Sequence, residues 1–370
     1  MSLTTRDEVK KSRSVGSRGD KTFRGFAYGA GIAILVLLGA VAFFLLIQSY
    51  QVYTASMEEI QADVGFARVG SEPISFWSFA ARALWGTVLS SLMALVIAVP
   101  LAIGIALFIS HYAPRRLAQF LGYVIDLLAA IPSIIYGMWG MSTLEPMLRP
   151  IFSWIEVTFR PWLVRLAGEE VQVDGDAVWQ GGLSGFNYAA EHWDWWPITP
   201  DLVDMSAGPA RNLAMGSVIL AIMILPIITA LCREVFIQTP RLQEEAAMAL
   251  GATRWEMITM TVLPMGRSGM VSAAMLGLGR ALGETMALLM VLSAGLEINF
   301  KIFGVGQHST IASQIALRWP EASAGTPDNP SLEQPFLIAL GLLLFVLTFV
   351  VNFIARAIVN RRKDFSGANA

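Results

Sequence analysis

Six stretches of this chain are long and apolar enough to cross a lipid bilayer, and that limits its fold more than any motif does. A bilayer core about 30 Å thick takes roughly 20 apolar residues in helical form. Gly25–Tyr50, Ala83–Ser110, Asn212–Cys232 and Gln334–Ala355 carry no charge; Leu117–Leu144 holds only Asp126, and Ser268–Leu296 only Arg280 and Glu284. Lipid offers the backbone no hydrogen-bond partners, so stretches of this length must close their own bonds as helices. The expectation is an all-α integral membrane protein with six transmembrane helices. Composition agrees: of 370 residues, 55% are hydrophobic and 15% charged, against about 25% charged in soluble domains. The first run is too long for a signal peptide, and no small-residue cleavage site follows promptly, so it reads as a retained anchor.

Charge between the runs sets an orientation. Arg6, Lys10, Lys11, Arg13, Arg18, Lys21 and Arg24 precede the first run, Arg115 and Arg116 follow the second, and Arg233, Arg241, Arg254 and Arg267 fall between the fourth and fifth. Arg361, Arg362 and Lys363 follow the sixth. With six spans all of these share one side, which the positive-inside bias makes cytoplasmic, together with both termini. The predicted organisation is a basic tail over 1–24, a first helix and outer loop over 25–82, a core over 83–356 and a cytoplasmic tail over 357–370. Within the core an outer loop spans 142–211 and a cytoplasmic loop 238–266. The outer loop is acidic and contains Trp154, Trp162, Trp179, Trp193, Trp195 and Trp196. Ile151–Leu166 suits an interfacial helix, and "VDGDA" (Val173–Ala177) signals a turn. The loop reads either as a docking surface for an extracytoplasmic partner or as an aromatic belt at the membrane surface.

Other chemistries find little support. A net charge of −2 makes no electrostatic case for nucleic acid. The single cysteine, Cys232, excludes a disulfide framework and a thiolate zinc site. His111, His192 and His308 lack ligand spacing, and Asp174 and Asp176 lack a full calcium-loop pattern. No cofactor is expected.

Charges inside the fifth run are costly and therefore informative. Arg280 lies about 13 residues into it, near the bilayer midplane at 1.5 Å per residue, where insertion costs roughly 2.5 to 3.5 kcal/mol. Glu284, one turn on, could form a local ion pair, but Arg before Glu is the weaker helical order and stability alone explains such a pair poorly. Ala273, Gly277, Arg280 and Glu284 fall in one helical stripe, which predicts a translocation pathway facing other helices or water. Pro100, Pro132 and Pro226 lie within spans and free carbonyls there. Asp126 sits nearer its cytoplasmic end, where snorkelling or a polar contact to a neighbouring helix fits best.

Between the fourth and fifth runs, Thr239 is expected to cap a helix with Pro240 as its first residue, running to about Leu250. Gly251 supplies a left-handed terminator, and "TRWE" (Thr253–Glu256) reads as a capping box that opens a second helix. Two short helices at a fixed bend make a rigid knob. Glu244 and Glu245 beside Ala246, Ala247, Ala249 and Leu250 suit a protein socket better than an anionic lipid surface.

"EAAMALG" (Glu245–Gly251) followed by "VLP" (Val262–Pro264) resembles the EAA loop of ABC importer permeases: EAA, three residues, Gly, nine residues, then I-x-L-P, with Thr261 in place of Ile. "LAAIPSIIYGMWG" (Leu128–Gly140) and "LGLGRALGETMA" (Leu276–Ala287) are similar to phosphate permeases, and the GETMA ending favours the PstC-type over the PstA-type subunit. The resemblance covers about Arg24 to Arg362 and implies a type I importer fold of the MetI-like class, here with an enlarged extracytoplasmic loop. It also implies residence in a bacterial inner membrane, a second, PstA-type permease, a dimer of cytoplasmic PstB-type ATPases and a PstS-type phosphate-binding protein. The chain has no Walker A motif, so ATP hydrolysis belongs to the partner and the chain itself is no enzyme. By similarity Glu244, Glu245, Ala246, Ala247 and Gly251 form the coupling helix, while Arg280, Glu284 and Thr285 line the substrate pathway. Arg280 would bind the dehydrated anion, and Glu284 would hold and partly neutralise it when the site is empty. Importers of sulfate or molybdate, whose "RALGE" usually continues with an aromatic residue, are the near alternative; a phosphate sensor or scaffold that transports nothing is the distant one.

Overall fold

The computed structural model describes residues 18–69, 72–152, 154, 169–173, 176–180, 211–298, 302, 306–326 and 329–363. The basic tail before Arg18, the far end of the C-terminal tail and most of the outer loop, including Trp162, Trp193, Trp195, Trp196 and Asp174, lie outside them.

Among the described residues the chain is helical with short hairpins. Helix α1 (Arg18–Thr54) leads through α2 (Met57–Asp63) to α3 (Phe76–Leu107), which a π turn extends through Phe108–Tyr112. Next come α4 (Arg115–Ala129) and α5 (Ser133–Trp139), α5 continuing through a second π turn at Gly140–Leu144. Helix α6 (Leu213–Ile237) precedes the predicted knob, α7 (Arg241–Ala249) and α8 (Arg254–Met257). A third π turn, Ile258–Val262, joins α8 to α9 (Leu263–Leu282), followed by α10 (Met286–Val291), α11 (Ile311–Arg318) and α12 (Glu333–Lys363). Between α5 and α6, Glu169–Val173 pairs antiparallel with Asp176–Gln180, with Val173 opposite Asp176. The Asp-Gly pair between those ends lies outside the described residues.

Four helices are continuous and apolar enough to span a membrane: Thr22–Thr54, Phe76–Tyr112, Leu213–Ile237 and Glu333–Ala357. A fifth arises only if Arg115–Ala129 and Ser133–Phe152, which meet at 93°, count as one broken span. Of the six expected spans, the third and fifth runs are broken rather than continuous among the described residues. Pro132 lacks an N–H and cannot sustain the helix across Ala130–Ile131. In the fifth run α9 stops at Leu282, and Gly283–Thr285 separates it from α10. Pro100 and Pro226 are instead carried within α3 and α6.

The core is built by close approach of small residues, the packing that apolar solvent favours over bulk hydrophobicity. Ala94, Ala98, Ala102 and Ala106 repeat every fourth position along α3 and are wholly buried, in one cluster with Leu220, Ile224 and Ile228 of α6. Gly277 of α9 lies so close to α6 that a Cβ there would stand 2.7 Å from Ile228 Cδ1. A second cluster joins α2, α3 and α12 around Phe336, whose ring meets those of Phe76 at 5.1 Å and Phe79 at 5.3 Å, both edge-on. Edge-to-face pairs contribute about 0.5–1.5 kcal/mol beyond the area they bury.

Candidate functional site: a capped knob and a paired helix break

The knob forms from local signals. Gly251 adopts φ +88°, its N–H donating to Met248 O at 3.0 Å while the Ala252 N–H donates to Ala247 O at 3.2 Å. This is the paired carbonyl capping that a left-handed residue past a helix end allows. Thr253 N donates to Glu256 Oε2 at 2.8 Å and Glu256 N to Thr253 Oγ1 at 3.3 Å, the reciprocal bonds of a capping box. The bond from the Thr253 N–H, with a second from the Thr253 hydroxyl at 2.8 Å, holds the Glu256 carboxyl below its usual range. The cap expected at Thr239 does not form. Pro240 takes the N-cap position with no side-chain bond, so α7 begins at Arg241, and Thr239 Oγ1 is buried without a hydrogen-bond partner.

The knob presents two faces. Glu245 and Ala246 are exposed, and Leu250 is 90% exposed. Ala247 is half-buried. Glu244 turns inward, its Oε1 3.5 Å from His111 Nε2 in the π turn that ends α3. Both line a cleft of about 620 Å³ with Glu245, Met248, Arg254 and Met257. Of the two acids, Glu245 is the more exposed. Each of the π turns that flank the cleft carries one extra residue in a helix, an irregularity frequent at functional positions.

The second half of the site lies at the other end of α9. Ala273 and Gly277 are buried against neighbouring helices, and Arg280, in the last turn, is exposed. A cation there is favoured by the helix dipole. Glu284 is buried at 8% exposure, and its Oε1 accepts the Ala287 N–H at 3.0 Å at the start of α10. Thr285 Oγ1 donates to Gly283 O at 3.1 Å inside the break. The expected local pair is absent: among the described residues Arg280 and Glu284 form no ion pair. The helix ends before Glu284, so the stripe drawn from Ala273 does not continue through it, and the carboxylate caps α10 instead.

The two broken helices meet here. A Cβ on Gly137 of α5 would lie 2.9 Å from Ala287 Cα and 3.2 Å from its carbonyl oxygen, so α5 and α10 touch backbone to backbone. Tyr136, beside it, donates its hydroxyl to Leu128 O at 2.9 Å across the bend and lies within electrostatic reach of Arg280. Neither Tyr136 nor Gly137 was picked out from sequence as a site residue; the available signal was a proline followed four residues later by Tyr-Gly. Such discontinuous membrane helices are where transporters place their substrate groups. The break thus presents one exposed guanidinium, while its carboxylate is buried and engaged by a backbone N–H.

Residues 98–364 match the family described as binding-protein-dependent transport system inner membrane component. The chain is 40% identical over 343 residues to a phosphate transport system permease protein PstC 2 of Mycobacterium bovis, covering 92% of each. It is 40% identical over 350 residues to PstC of Mycobacterium leprae, covering 94% of this chain and 95% of that one. Against PstC of Mesorhizobium japonicum the identity is 35% over 354 residues, covering 94% and 92%. Among solved structures, a bacterial alginate ABC transporter in complex with an alginate pentasaccharide-bound periplasmic protein superposes with TM-score 0.51 at 15% identity, covering 93% of this chain and 96% of that one. At that identity the likeness concerns the fold alone.

Proposed function

The chain belongs to the family of binding-protein-dependent inner membrane transport components, and from that premise we propose that it is the PstC-type permease subunit of an ATP-driven phosphate importer. It forms the pathway with a second, PstA-type permease, receives phosphate from a PstS-type binding protein outside, and is driven by a pair of PstB-type ATPases inside. Both termini and the knob face the cytoplasm, in keeping with the basic residues on that side.

The observation that carries this reading is the exposed Arg280 guanidinium at a helix break inside an apolar run. An isolated cation there is costly unless a charged substrate or partner uses it, and Arg presents a planar fork of donors suited to phosphate. Its placement also supplies a transmission route. From Arg254 to Leu282 the chain is helical throughout, via α8, the π turn and α9, a rod roughly 40 Å long at 1.5 Å per residue. Glu245, Ala246 and Gly251 dock at one end, with Glu244 braced inward against His111; Arg280, Glu284 and Thr285 stand at the other. Movement of the knob by the ATPases reaches the anion site along this rod. With Glu284 engaged by α10, Arg280 is open to the anion instead of being neutralised within the chain.

Reconstituting the four components in proteoliposomes tests the assignment. Phosphate uptake should need ATP, resist competition by sulfate and molybdate, and fall more than a hundredfold in Arg280→Gln while the complex still assembles. Uptake by that variant at the normal rate would remove Arg280 from the pathway, and stronger competition by sulfate or molybdate would reassign the substrate.

A further inference from the structure

Tyr136 has no part in the transport roles assigned above, yet it sits at the joint between the two broken helices. Pro132 has no N–H, so the Leu128 carbonyl four residues earlier loses its ordinary helical donor. The Ile131 N–H reaches that oxygen at 3.3 Å, and the Tyr136 hydroxyl is the closer donor at 2.9 Å. Tyr136 is 8% exposed, so little water competes for this bond, and a buried hydroxyl needs such a partner. The ring therefore ties the start of α5 back to the end of α4 and fixes the 93° elbow. One residue further on, Gly137 lies against the backbone of Ala287, whose N–H is held by Glu284. The elbow and the Glu284 cap thus meet where α5 packs on α10, closest at Gly137 and Ala287.

We propose that Tyr136 is a positioning residue for translocation: its hydroxyl clamps the elbow through Leu128, and the elbow seats α10 and Glu284 next to Arg280. The inference rests on Arg280 being a pathway residue. Breaking the clamp leaves phosphate delivery and ATPase docking intact but lets α5 shift against α10, so hydrolysis continues with less transport.

The test uses the whole complex in proteoliposomes, with phosphate uptake and ATP hydrolysis measured side by side. Tyr136→Phe keeps the ring and removes the donor; uptake per ATP hydrolysed should fall at least tenfold. A fluorinated tyrosine at 136 keeps hydroxyl and shape but ionises at lower pH, and a phenolate cannot donate. Its coupling should match the unmodified protein at low pH and decline as pH rises through that ionisation, while the unmodified protein stays level over the same range. A purely packing role predicts unmodified coupling for both variants, and that result would overturn the clamp. Should Tyr136→Phe fail to assemble, the fluorinated protein decides alone, with a level pH profile counting against the clamp. Arg280→Gln run in parallel separates the two ideas. If it transports normally, the pathway reading has failed; if it is inactive while Tyr136→Phe couples normally, only the clamp has.

Discussion

The knob at 241–262 and the helix break at 283–285 stand at opposite ends of one helical rod, but different kinds of interaction hold them. The bonds that cap the knob's two helices join residues within five positions, at the turn after α7 and in the Thr253–Glu256 box, and Glu244 against His111 braces the knob from outside. The break depends on contacts between distant segments, Gly137 against Ala287 and Gly277 against Ile228. A locally built element keeps its shape when its surroundings move, which suits a part that must be gripped and pulled. A site assembled from separate helices changes when they shift, which suits a gate. Damage to the break should therefore abolish translocation, whereas damage to the knob should weaken its grip on the ATPase and leave the anion site intact.

Gly137→Val attacks the break most directly. Its Cβ would meet the Ala287 backbone at 2.9 Å, and backbone cannot yield as a flexible side chain can; overpacking of this kind costs about 1–3 kcal/mol. Uptake should drop more than tenfold with the ATPase still captured in pull-down. Equal loss of ATPase binding would show that the two regions are not independent. Gly251→Val attacks the knob: nothing lies within 4 Å of that glycine, so the strain is in the backbone at φ +88°. A left-handed conformation costs an L-residue about 1–2 kcal/mol. Pull-down should weaken severalfold and uptake should fall with it, and Gly251→Asn, which tolerates this conformation, should recover most of both. If Gly251→Val binds the ATPase normally yet cannot transport, the knob is more than a handle.

The same contrast explains what was legible in the sequence. Gly251, the Thr253–Glu256 box and the apolar runs act at fixed spacing along one chain, so they could be read from spacing alone. Thr239 misled because a threonine before proline suits a cap, but here Pro240 occupies the N-cap position and turns Thr239 into the core. Arg280 stood out because charge in an apolar run is costly wherever the run folds. Its expected pairing with Glu284 assumed a continuous helix, and no local signal showed that the carboxylate would prefer the Ala287 N–H. Tyr136 was not legible because its hydroxyl's partner, the Leu128 carbonyl eight residues earlier, comes within reach across the bend at Pro132.

The smallest expected effect probes the knob's own cap. Thr253→Ala removes the hydroxyl that accepts the Glu256 N–H and should cost about 1 kcal/mol of local stability, a usual value for losing such a cap. Hydrogen exchange at the Glu256 and Met257 amides, the first turn of α8, should speed up accordingly while that of Ala281 at the far end of the rod stays the same. Acidity gives an independent check on the same bonds. Because the Glu256 carboxyl is held below its usual range by Thr253, the folded form binds a proton less readily than the unfolded. Its contribution is then fully present above the ordinary glutamate value of about 4.3 and is lost as pH falls through the lowered one. Exchange at these amides should be governed by the same opening equilibrium from neutral pH down to about that value, with protection lost only in stronger acid; Glu256→Gln should flatten the acid limb. Protection lost well above the ordinary value would mean that Glu256 is not what holds the cap, and that the knob depends on distant contacts as the break does.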